Sequence, residues 1–398
     1  MMLELVETLR TIVIAEAPQM VSNLEQICNI NSHSANFDGN VEMLKWFKTH
    51  FSRSGLTEGG FVYGHKDRPH LVMHNRRDGV RQPPFKVLLV GHTDTVYPID
   101  HPFQRVRFDG EFAHGPGVSD MKGGLLVAAA AVFALKQAGL LNNIEITAFI
   151  NSDEEVQSPT SRHLLEELCR NGQDIALVFE GGRKNGNVVK ARKGVGKYLL
   201  RVTGKPAHAG INPQDGVNAI VELSDKLLQI NRLNDYKRGI TLTVGLVRGG
   251  VSRNTVAPEA EAEIDLRVVD PEDGRRVDAE VRSIANTPML PGATTTVVGG
   301  LGRPPWAENP GSESLLTHFV AAANLVGQSL AGEATGGGSD GNFTAALGIP
   351  TLDALGPQGG NPHTPDEYIR VASLAERALL VAVALASLEY KDQAPARR

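Results

Sequence analysis

The sequence predicts an α/β protein: a mostly parallel sheet flanked by helices, interrupted by an inserted ferredoxin-like α+β domain. Strand and helix patterns alternate from about residue 85 to residue 180, which is typical of a parallel sheet. After residue 195 the order becomes β-α-β-β-α-β, which is the ferredoxin-like order. The length of 398 residues also favours two domains, because single hydrophobic cores stop growing beyond about 250–300 residues.

The larger domain is predicted from three short apolar runs and one long helix. The runs that read as buried strands are residues 87–90, 144–150 and 174–179. Gly91 is expected to stop the first of them. Residues 121–140 are rich in Ala and Leu and predict a helix that Gly139 ends. Charged residues interrupt the apolar positions of residues 1–20, which indicates an amphipathic opening helix and not a signal peptide.

The inserted domain is predicted from period-two alternation and from two helical patterns. Strands are expected at residues 197–204, 240–247, 259–268 and 293–300. Helices are expected at residues 215–230 and 271–286. The chain then becomes helical and apolar again, with a strand-like run at 349–355. The predicted boundaries are therefore 1–194 and 303–398 for the larger domain and 195–302 for the insert.

The composition excludes several classes of partner. Hydrophobic residues make up 41% and charged residues 21% of the chain, which is ordinary for a globular protein. The net charge of −5 offers no basic excess for nucleic acid. No uninterrupted apolar segment is long enough to span a membrane. We expect neither nucleic acid nor membrane as a partner and a cytoplasmic location by default.

Polar side chains follow each of the three strands predicted for the larger domain. These residues are His92, Asp94, Asp153, Glu154, Glu155 and Glu180, and Asp120 precedes the Ala-rich helix. Taken singly, each has a simpler explanation, such as a loop histidine or an acid at a helix N-terminus. Sites in open α/β sheets gather beyond the carboxyl ends of the strands, so the acids should converge. Clustered carboxylates repel one another unless a cation lies among them, which favours a metal site.

The types of ligand indicate which metal. Imidazole and carboxylate groups without a thiolate suit zinc, with cobalt or manganese as substitutes. The chain has only two cysteines, and they are far apart. More ligands are present than one tetrahedral ion needs. Two ions that share a carboxylate therefore fit better, as in dinuclear hydrolases.

An ordered set of motifs resembles a known family. The stretches HTDTV, GPGVSDMKGG, SDEE, GKPAHAG, DLR and GGGSDG, followed by a late His, occur between about residues 85 and 385. The chain in this region is similar to the co-catalytic zinc aminoacylases and carboxypeptidases, most of all to the glutamate carboxypeptidases. Acetylornithine deacetylases and succinyl-diaminopimelate desuccinylases share the same core.

The resemblance implies a role for each residue of the predicted metal site. It implies five metal ligands, His92, Asp120, Glu155, Glu180 and His363. Asp120 bridges two Zn²⁺ ions, one held with His92 and Glu180 and the other with Glu155 and His363. Asp94 orients the ring of His92. Glu154 acts as the general base, taking a proton from water and passing it to the leaving nitrogen.

The resemblance also implies how substrate binds. His208 reaches across the interface of a homodimer, formed by the inserted dimerisation and lid domain, and helps to hold the oxyanion. Asn254 and Arg267 bind the terminal carboxylate of the substrate, and Arg303 contacts a glutamate side chain. Backbone N–H groups around Gly337, from Gly336 to Ser339, lie near the same anion. The implied reaction is hydrolysis of an amide bond next to a C-terminal amino acid.

The chain departs from the family pattern at two places. In DEEVQSPTSR, Gln157 and Thr160 stand where the family has glycines, which predicts a stiffer and bulkier loop beside the base. A second basic position of the folate-cleaving relatives falls on Asn187, although Lys190 and Arg192 are near. The alternative substrate class, a small N-acyl amino acid hydrolysed by a deacylase, therefore stays open beside peptides.

Overall fold

The computed structural model describes residues 2–76, 85–142 and 144–388. The helices are α1 (Met2–Cys28), α2 (Phe37–Arg53), α3 (Lys122–Gln137), α4 (Arg162–Arg170), α5 (Ala219–Asn231), α6 (Pro271–Asn286), α7 (Pro310–Val326), α8 (Gly341–Ala346) and α9 (Ser373–Leu388). The strands are β1 (Glu58–Tyr63), β2 (Pro69–His74), β3 (Phe85–His92), β4 (Arg107–Asp109), β5 (Phe112–His114), β6 (Ile144–Asn151), β7 (Ile175–Val178), β8 (Val188–Arg192), β9 (Gly194–Thr203), β10 (Thr241–Gly249), β11 (Glu259–Val268), β12 (Thr294–Arg303), β13 (Gly332–Thr335), β14 (Thr351–Leu352), β15 (Gly359–Gly360) and β16 (Tyr368–Arg370).

The chain divides into two compact units. The first unit comprises Met1–Lys190, Glu308–Ala334 and Ser339–Arg398. The second unit comprises Ala191–Ala307 and Thr335–Gly338. The short segment Thr335–Gly338 lies outside the range predicted for the insert, because the chain returns to the second unit after α7 and β13.

The first unit contains a six-stranded sheet of order β1-β2-β6-β3-β7-β14. Neighbours among β6, β3, β7 and β14 are parallel, whereas β1 and β2 pair antiparallel at one edge. The predicted α/β class with a mostly parallel sheet is therefore confirmed. The strands β1 and β2 were not predicted. No residue of β1 is fully buried, so this strand lacks the apolar alternation that would have marked it.

Both faces of this sheet are covered, which explains the unbroken apolar run in β3. Val87 and Leu89 belong to the main core with α1, α3, α7 and α9. Leu88 and Val90 face the opposite side and pack with residues of α4 and α8. Strands buried on both faces read as continuous hydrophobic runs. None of the helices in the described ranges combines the length and the apolar character needed to cross a membrane.

Two details of the first unit differ from the prediction. Gly91 does not stop the first strand, because β3 continues to His92. A Cβ atom on Gly91 would lie 2.6 Å from a methyl group of Leu125, so glycine allows α3 to approach the sheet closely. The strand predicted at 349–355 is reduced to β14, since Ala354 has a positive φ of 60° that turns the chain out of the sheet.

The second unit has the predicted ferredoxin-like topology. Its sheet has the order β10-β11-β9-β12 and is antiparallel throughout. Residues of α5 and α6 share one hydrophobic core with this sheet. Helix α6 covers the predicted residues 271–286 because its start is strongly specified. The side chain of Asp270 accepts hydrogen bonds from the N–H groups of Glu272 and Asp273, and Pro271 occupies the first turn.

Candidate metal centre

The carboxyl ends of three parallel strands bring the predicted metal ligands of the first unit together. His92 is the last residue of β3, Glu154 and Glu155 follow β6, and Glu180 follows β7. Strand β3 lies between β6 and β7 and pairs in parallel with both. The polar groups that end each strand therefore meet at one edge of the sheet, as expected for this topology.

His92 contacts two of the carboxylates. Its Nε2 lies 3.1 Å from Asp120 Oδ1 and 3.6 Å from Glu180 Oε1. The side chain of His92 is buried, whereas those of Asp120 and Glu180 remain partly exposed. These three residues form one corner of the cluster, and they are the set that was predicted to hold one ion.

His363 forms the opposite corner. Its Nε2 lies 3.3 Å from Asp120 Oδ2 and 3.1 Å from Glu155 Oε2. The two oxygens of Asp120 thus face two different imidazoles. A carboxylate in this position can be shared by two ions, one beside each histidine. We call His92, Asp120, Glu155, Glu180 and His363 the ligand cluster.

The pKa shifts in the ligand cluster indicate a concentration of negative charge that cations could offset. Burial and the charge of Asp120 raise the pKa of Glu155 to about 8 and raise the pKa of Glu180 well above its ordinary value. Hydrogen bonds to Asp120 and Glu155 raise the pKa of His363 to about 11. Protons are therefore drawn onto the cluster to offset its negative charge. Divalent cations would offset the same charge, and a donor set of imidazoles and carboxylates suits them.

Asp94 contacts both His92 and the turn after β6. The Nδ1–H of His92 donates to the main-chain oxygen of Asp94 at 2.9 Å, whereas the carboxylate is 3.5 Å from Nδ1. The carboxylate instead accepts the N–H groups of Glu154 at 3.0 Å and Glu155 at 3.2 Å, and the Ser34 hydroxyl at 2.7 Å. The ring of His92 is thus held mainly by the carbonyl. The predicted role of Asp94 in orienting this ring stays a prediction, and the structure places both its carbonyl and its carboxylate near Nδ1.

The loop after the two glutamates differs from a glycine loop in its contacts. Gln157 and Ser158 adopt left-handed conformations, with φ of 75° and 54°. Thr160 is buried, and its hydroxyl donates to Asp153 at 2.6 Å and lies 3.1 Å from Nε2 of His70. A glycine at this position could make neither side-chain contact. The loop beside Glu154 is therefore bonded more extensively than a loop with glycine at position 160 would be.

The residues predicted to bind substrate all belong to the second unit. They are His208, Asn254, Arg267, Arg303 and Gly337. His208 and Asn254 are exposed and lie on neighbouring loops, since the N–H of Ala209 donates to the main-chain oxygen of Asn254 at 2.9 Å. Arg303 is buried on β12, where it pairs with Val195 of β9.

Two arginines of the second unit donate hydrogen bonds to the segment Thr335–Gly338, which contains three consecutive glycines. Arg267 donates to the carbonyl of Gly336 at 3.3 Å and forms an ion pair with Asp265 at 2.8 Å. Arg192, which was noted only as a nearby basic residue, donates to the carbonyl of Gly337 at 3.0 Å.

Ser339 belongs to the first unit, unlike the glycines with which it was grouped. Its N–H donates to the side chain of Asn342 at 2.9 Å, so this N–H is already hydrogen-bonded. The expected contact of this N–H with an anion stays a prediction, and it would have to replace the hydrogen bond to Asn342.

Sequence reasoning missed one residue beside the ligand cluster. Glu367 is 1% exposed, and its carboxylate accepts the N–H groups of Ser119 and Asp120. The available signal was a carboxylate four residues after His363 in the stretch HTPDE. Burial and the charge of Asp120 raise the pKa of Glu367 to about 7, and its backbone hydrogen bonds oppose this rise.

This chain is similar to known proteins in its sequence and in its fold. Residues 88–387 match the profile of peptidase family M20/M25/M40. Carboxypeptidase G2 of Pseudomonas sp. (strain RS-16) is 28% identical over 379 residues, which cover 92% of this chain and 88% of that protein. The M20 family metallo-carboxypeptidase Sso-CP2 from Sulfolobus solfataricus has a TM-score of 0.75 at 17% identity, covering 92% of this chain and 98% of that one. Aminopeptidase PepT from Bacillus cereus ATCC 10987 has a TM-score of 0.74 at 21% identity, covering 94% and 99%.

The fold and the ligand cluster define a metal-dependent hydrolase of the α/β class. The chain belongs to peptidase family M20/M25/M40, whose profile matches more than half of its length. The predicted resemblance to the dinuclear zinc peptidases and aminoacylases is thereby confirmed.

Proposed function

We propose that the protein is a metallo-carboxypeptidase that hydrolyses the amide bond next to a C-terminal amino acid, with glutamate as the preferred residue. The observation that carries the hydrolytic part of this proposal is the position of Glu154, and the choice of a C-terminal glutamate rests on the similarity to carboxypeptidases. The carboxylate oxygen of Glu154 lies within 4.8 Å of the ligand atoms of His92 and Glu180, and the residue is only 8% exposed. A buried carboxylate at this distance can move a proton to and from groups that react at the cluster.

We propose two Zn²⁺ ions per chain, with Co²⁺ or Mn²⁺ as substitutes. His92, Asp120 and Glu180 would hold one ion, and Asp120, Glu155 and His363 the other. When bound, such ions polarise a carbonyl group and lower the pKa of water. Glu154 accepts the proton of the attacking water at its carboxylate and returns it to the leaving nitrogen. The N–H of Glu154 donates to Asp94, which orients the turn that carries this base.

Arg267 supports a carboxylate-terminated substrate. Its guanidinium is half-buried beside Gly336, and its Nε and one terminal nitrogen already pair with the two oxygens of Asp265. A substrate carboxylate would have to share or replace this partner, for which the planar guanidinium is suited. Asn254 and the backbone around Gly337 would complete this anion site. His208 would stabilise the oxyanion that forms at the scissile carbonyl. These roles come from the family resemblance.

The preference for glutamate rests on Arg303, which the family resemblance assigns to a glutamate side chain. The sequence offers two further positions near the pocket of the folate-cleaving relatives, Lys190 and Asn187. Lys190 pairs with Glu313 at 2.5 Å and with Glu308 at 3.3 Å. Asn187 carries no charge and donates to Glu333. With fewer cations for a second substrate carboxylate, a deacylase acting on small N-acyl amino acids is the second candidate function.

A substrate panel tests the proposal with zinc-loaded protein. We expect kcat/KM for N-acetyl-Ala-Glu to exceed that for N-acetyl-Ala-Gln at least 10-fold, because one charged hydrogen bond contributes about 1.5–3 kcal/mol. The peptide amidated at its C-terminus, which lacks the terminal carboxylate, is the matched control and should be hydrolysed more slowly still. Turnover of N-acetylornithine or N-succinyl-diaminopimelate, with none of the dipeptides, would establish the deacylase in place of the carboxypeptidase.

We also propose that the protein forms a homodimer through its second unit. Strand β10 is an edge strand of the four-stranded sheet. Exposed apolar residues lie on this strand, in the turn after it and on α5, namely Leu246, Val247, Val251, Ile220, Val221 and Leu228. An open edge with apolar neighbours favours pairing with a second chain. The proposed role of the exposed His208 in the partner's site requires such a dimer.

Complementation tests whether His208 acts in the partner. His208→Ala and Glu154→Gln proteins, each inactive alone, are mixed under conditions that exchange subunits. We expect roughly a quarter of the wild-type activity, because half of the re-formed dimers are mixed and each has one working site. Native mass spectrometry measures the exchange. If mixed dimers form and no activity returns, His208 does not serve the partner's site.

A further inference from the structure

The buried carboxylate of Glu367 contacts four hydrogen-bond donors. Oε1 accepts the N–H groups of Ser119 at 2.9 Å and Asp120 at 3.0 Å. Oε2 accepts the N–H of Gly117 at 3.3 Å and lies 3.1 Å from the hydroxyl of Tyr97, whose one proton it shares with the carbonyl of Thr364 at 2.8 Å. Both oxygens of the carboxylate therefore serve as acceptors for backbone N–H groups.

The same residue belongs to the segment that carries His363. The N–H of Glu367 donates to the carbonyl of Thr364 at 3.0 Å. The Tyr97 hydroxyl lies 2.8 Å from that carbonyl as well as 3.1 Å from Glu367. The loop of His363 and the backbone of Asp120 are therefore fastened to one carboxylate, although they are far apart in the sequence.

We propose that Glu367 is a positioning residue that sets the distance between Asp120 and His363, and with it the geometry of the metal ion held by these two ligands. The proposal rests on the metal-dependent function proposed above. Glu367 touches neither the substrate nor the ion in this role. It fixes the backbone of Asp120 through N–H groups, so that Oδ2 of Asp120 stays 3.3 Å from Nε2 of His363. Supporting contacts of this kind commonly change metal affinity 10–100-fold when they are removed.

The chemistry of the contact requires a carboxylate. A glutamine at position 367 would keep one oxygen acceptor and would place an NH₂ group, a donor, against N–H groups or the Tyr97 hydroxyl. At least one backbone donor would then lose its acceptor, and the loop of Asp120 would shift to recover one. The ligand atoms would stay chemically intact while their spacing changes.

The second unit offers a matched control. Glu222 is also fully buried, accepts the N–H groups of Met289 and Leu290, and pairs with Lys226 at 2.8 Å. Glu222→Gln makes the same chemical change as Glu367→Gln in a unit that holds none of the ligand cluster. A role limited to stability should therefore affect both variants alike.

The experiment measures cobalt binding to the full-length protein. Metal-free wild type, Glu367→Gln, Tyr97→Phe and Glu222→Gln are titrated with Co²⁺ in competition with a chelator, and visible spectra are recorded. We expect Glu367→Gln to weaken binding of one of the two ions at least 10-fold and to change its visible bands. Tyr97→Phe should cause a smaller change of the same bands. Glu222→Gln should lower the unfolding temperature and leave the spectrum unchanged.

Two outcomes overturn the proposal. One is a folded Glu367→Gln protein that binds both ions with the affinity and spectrum of the wild type. If that variant does not fold, Glu367→Asp decides, because it keeps the charge and shortens the reach by one methylene group; an unchanged spectrum would then refute the role. The readout needs no substrate. A protein with the expected cobalt changes that hydrolyses nothing in the panel would refute the carboxypeptidase and leave the positioning role intact.

Discussion

Glu154→Gln is expected to lower kcat by at least about 10²–10⁴-fold while metal content stays at the wild-type level. The side chain keeps its size and most of its hydrogen-bonding capacity and loses the ability to accept a proton. Its backbone contact with Asp94 is unaffected, because that contact uses the N–H group. The turn that carries the residue should therefore keep its conformation, and the loss should appear in kcat more than in KM.

Glu155→Gln is the matched control for this change. It makes the same substitution one residue later, at a side chain that contacts His363 at 3.1 Å as part of the ligand cluster. We expect this variant to lose metal as well as activity, as measured by elemental analysis and turnover on the same samples. A metal-loaded Glu154→Gln protein with normal turnover would remove Glu154 from the mechanism.

Asp120→Ala is expected to abolish tight binding of both ions, and with it the activity. Its two carboxylate oxygens face different histidines, with Oδ1 beside His92 and Oδ2 beside His363. Removing this one side chain takes a ligand from each ion at once. The variants His92→Ala and His363→Ala each remove a ligand from one side only, so each should mainly affect one ion.

Elemental analysis after dialysis against a fixed free zinc concentration distinguishes these cases. We expect about two ions per chain in the wild type and about one in each histidine variant, because each histidine contributes to one side of the cluster only. Circular dichroism verifies that each variant is folded. An Asp120→Ala protein that retains both ions with wild-type affinity would show that Asp120 is not shared.

The sequence by itself determined the element order of the second unit and three strands of the sheet in the first unit. Its resemblance to a known family supplied the five residues of the ligand cluster. Alternation and helical periodicity are local properties, so the second unit and α6 could be predicted closely. The convergence of His92, Glu155 and Glu180 followed from one rule of topology, because the carboxyl ends of parallel strands meet at one edge. No contact between these residues had to be known in advance.

Only the tertiary structure decided how these groups are held. The main-chain oxygen of Asp94 accepts the ring N–H of His92, and a backbone group leaves no trace in the side-chain pattern. Packing also decides the placement of the antiparallel strands β1 and β2. It likewise decides the return of residues 335–338 to the second unit. Glu367 reaches Asp120 across 247 positions of the chain. Such contacts join segments that are far apart in the sequence, and the local pattern of one segment does not predict its contact with the other. They form only when the whole chain has folded.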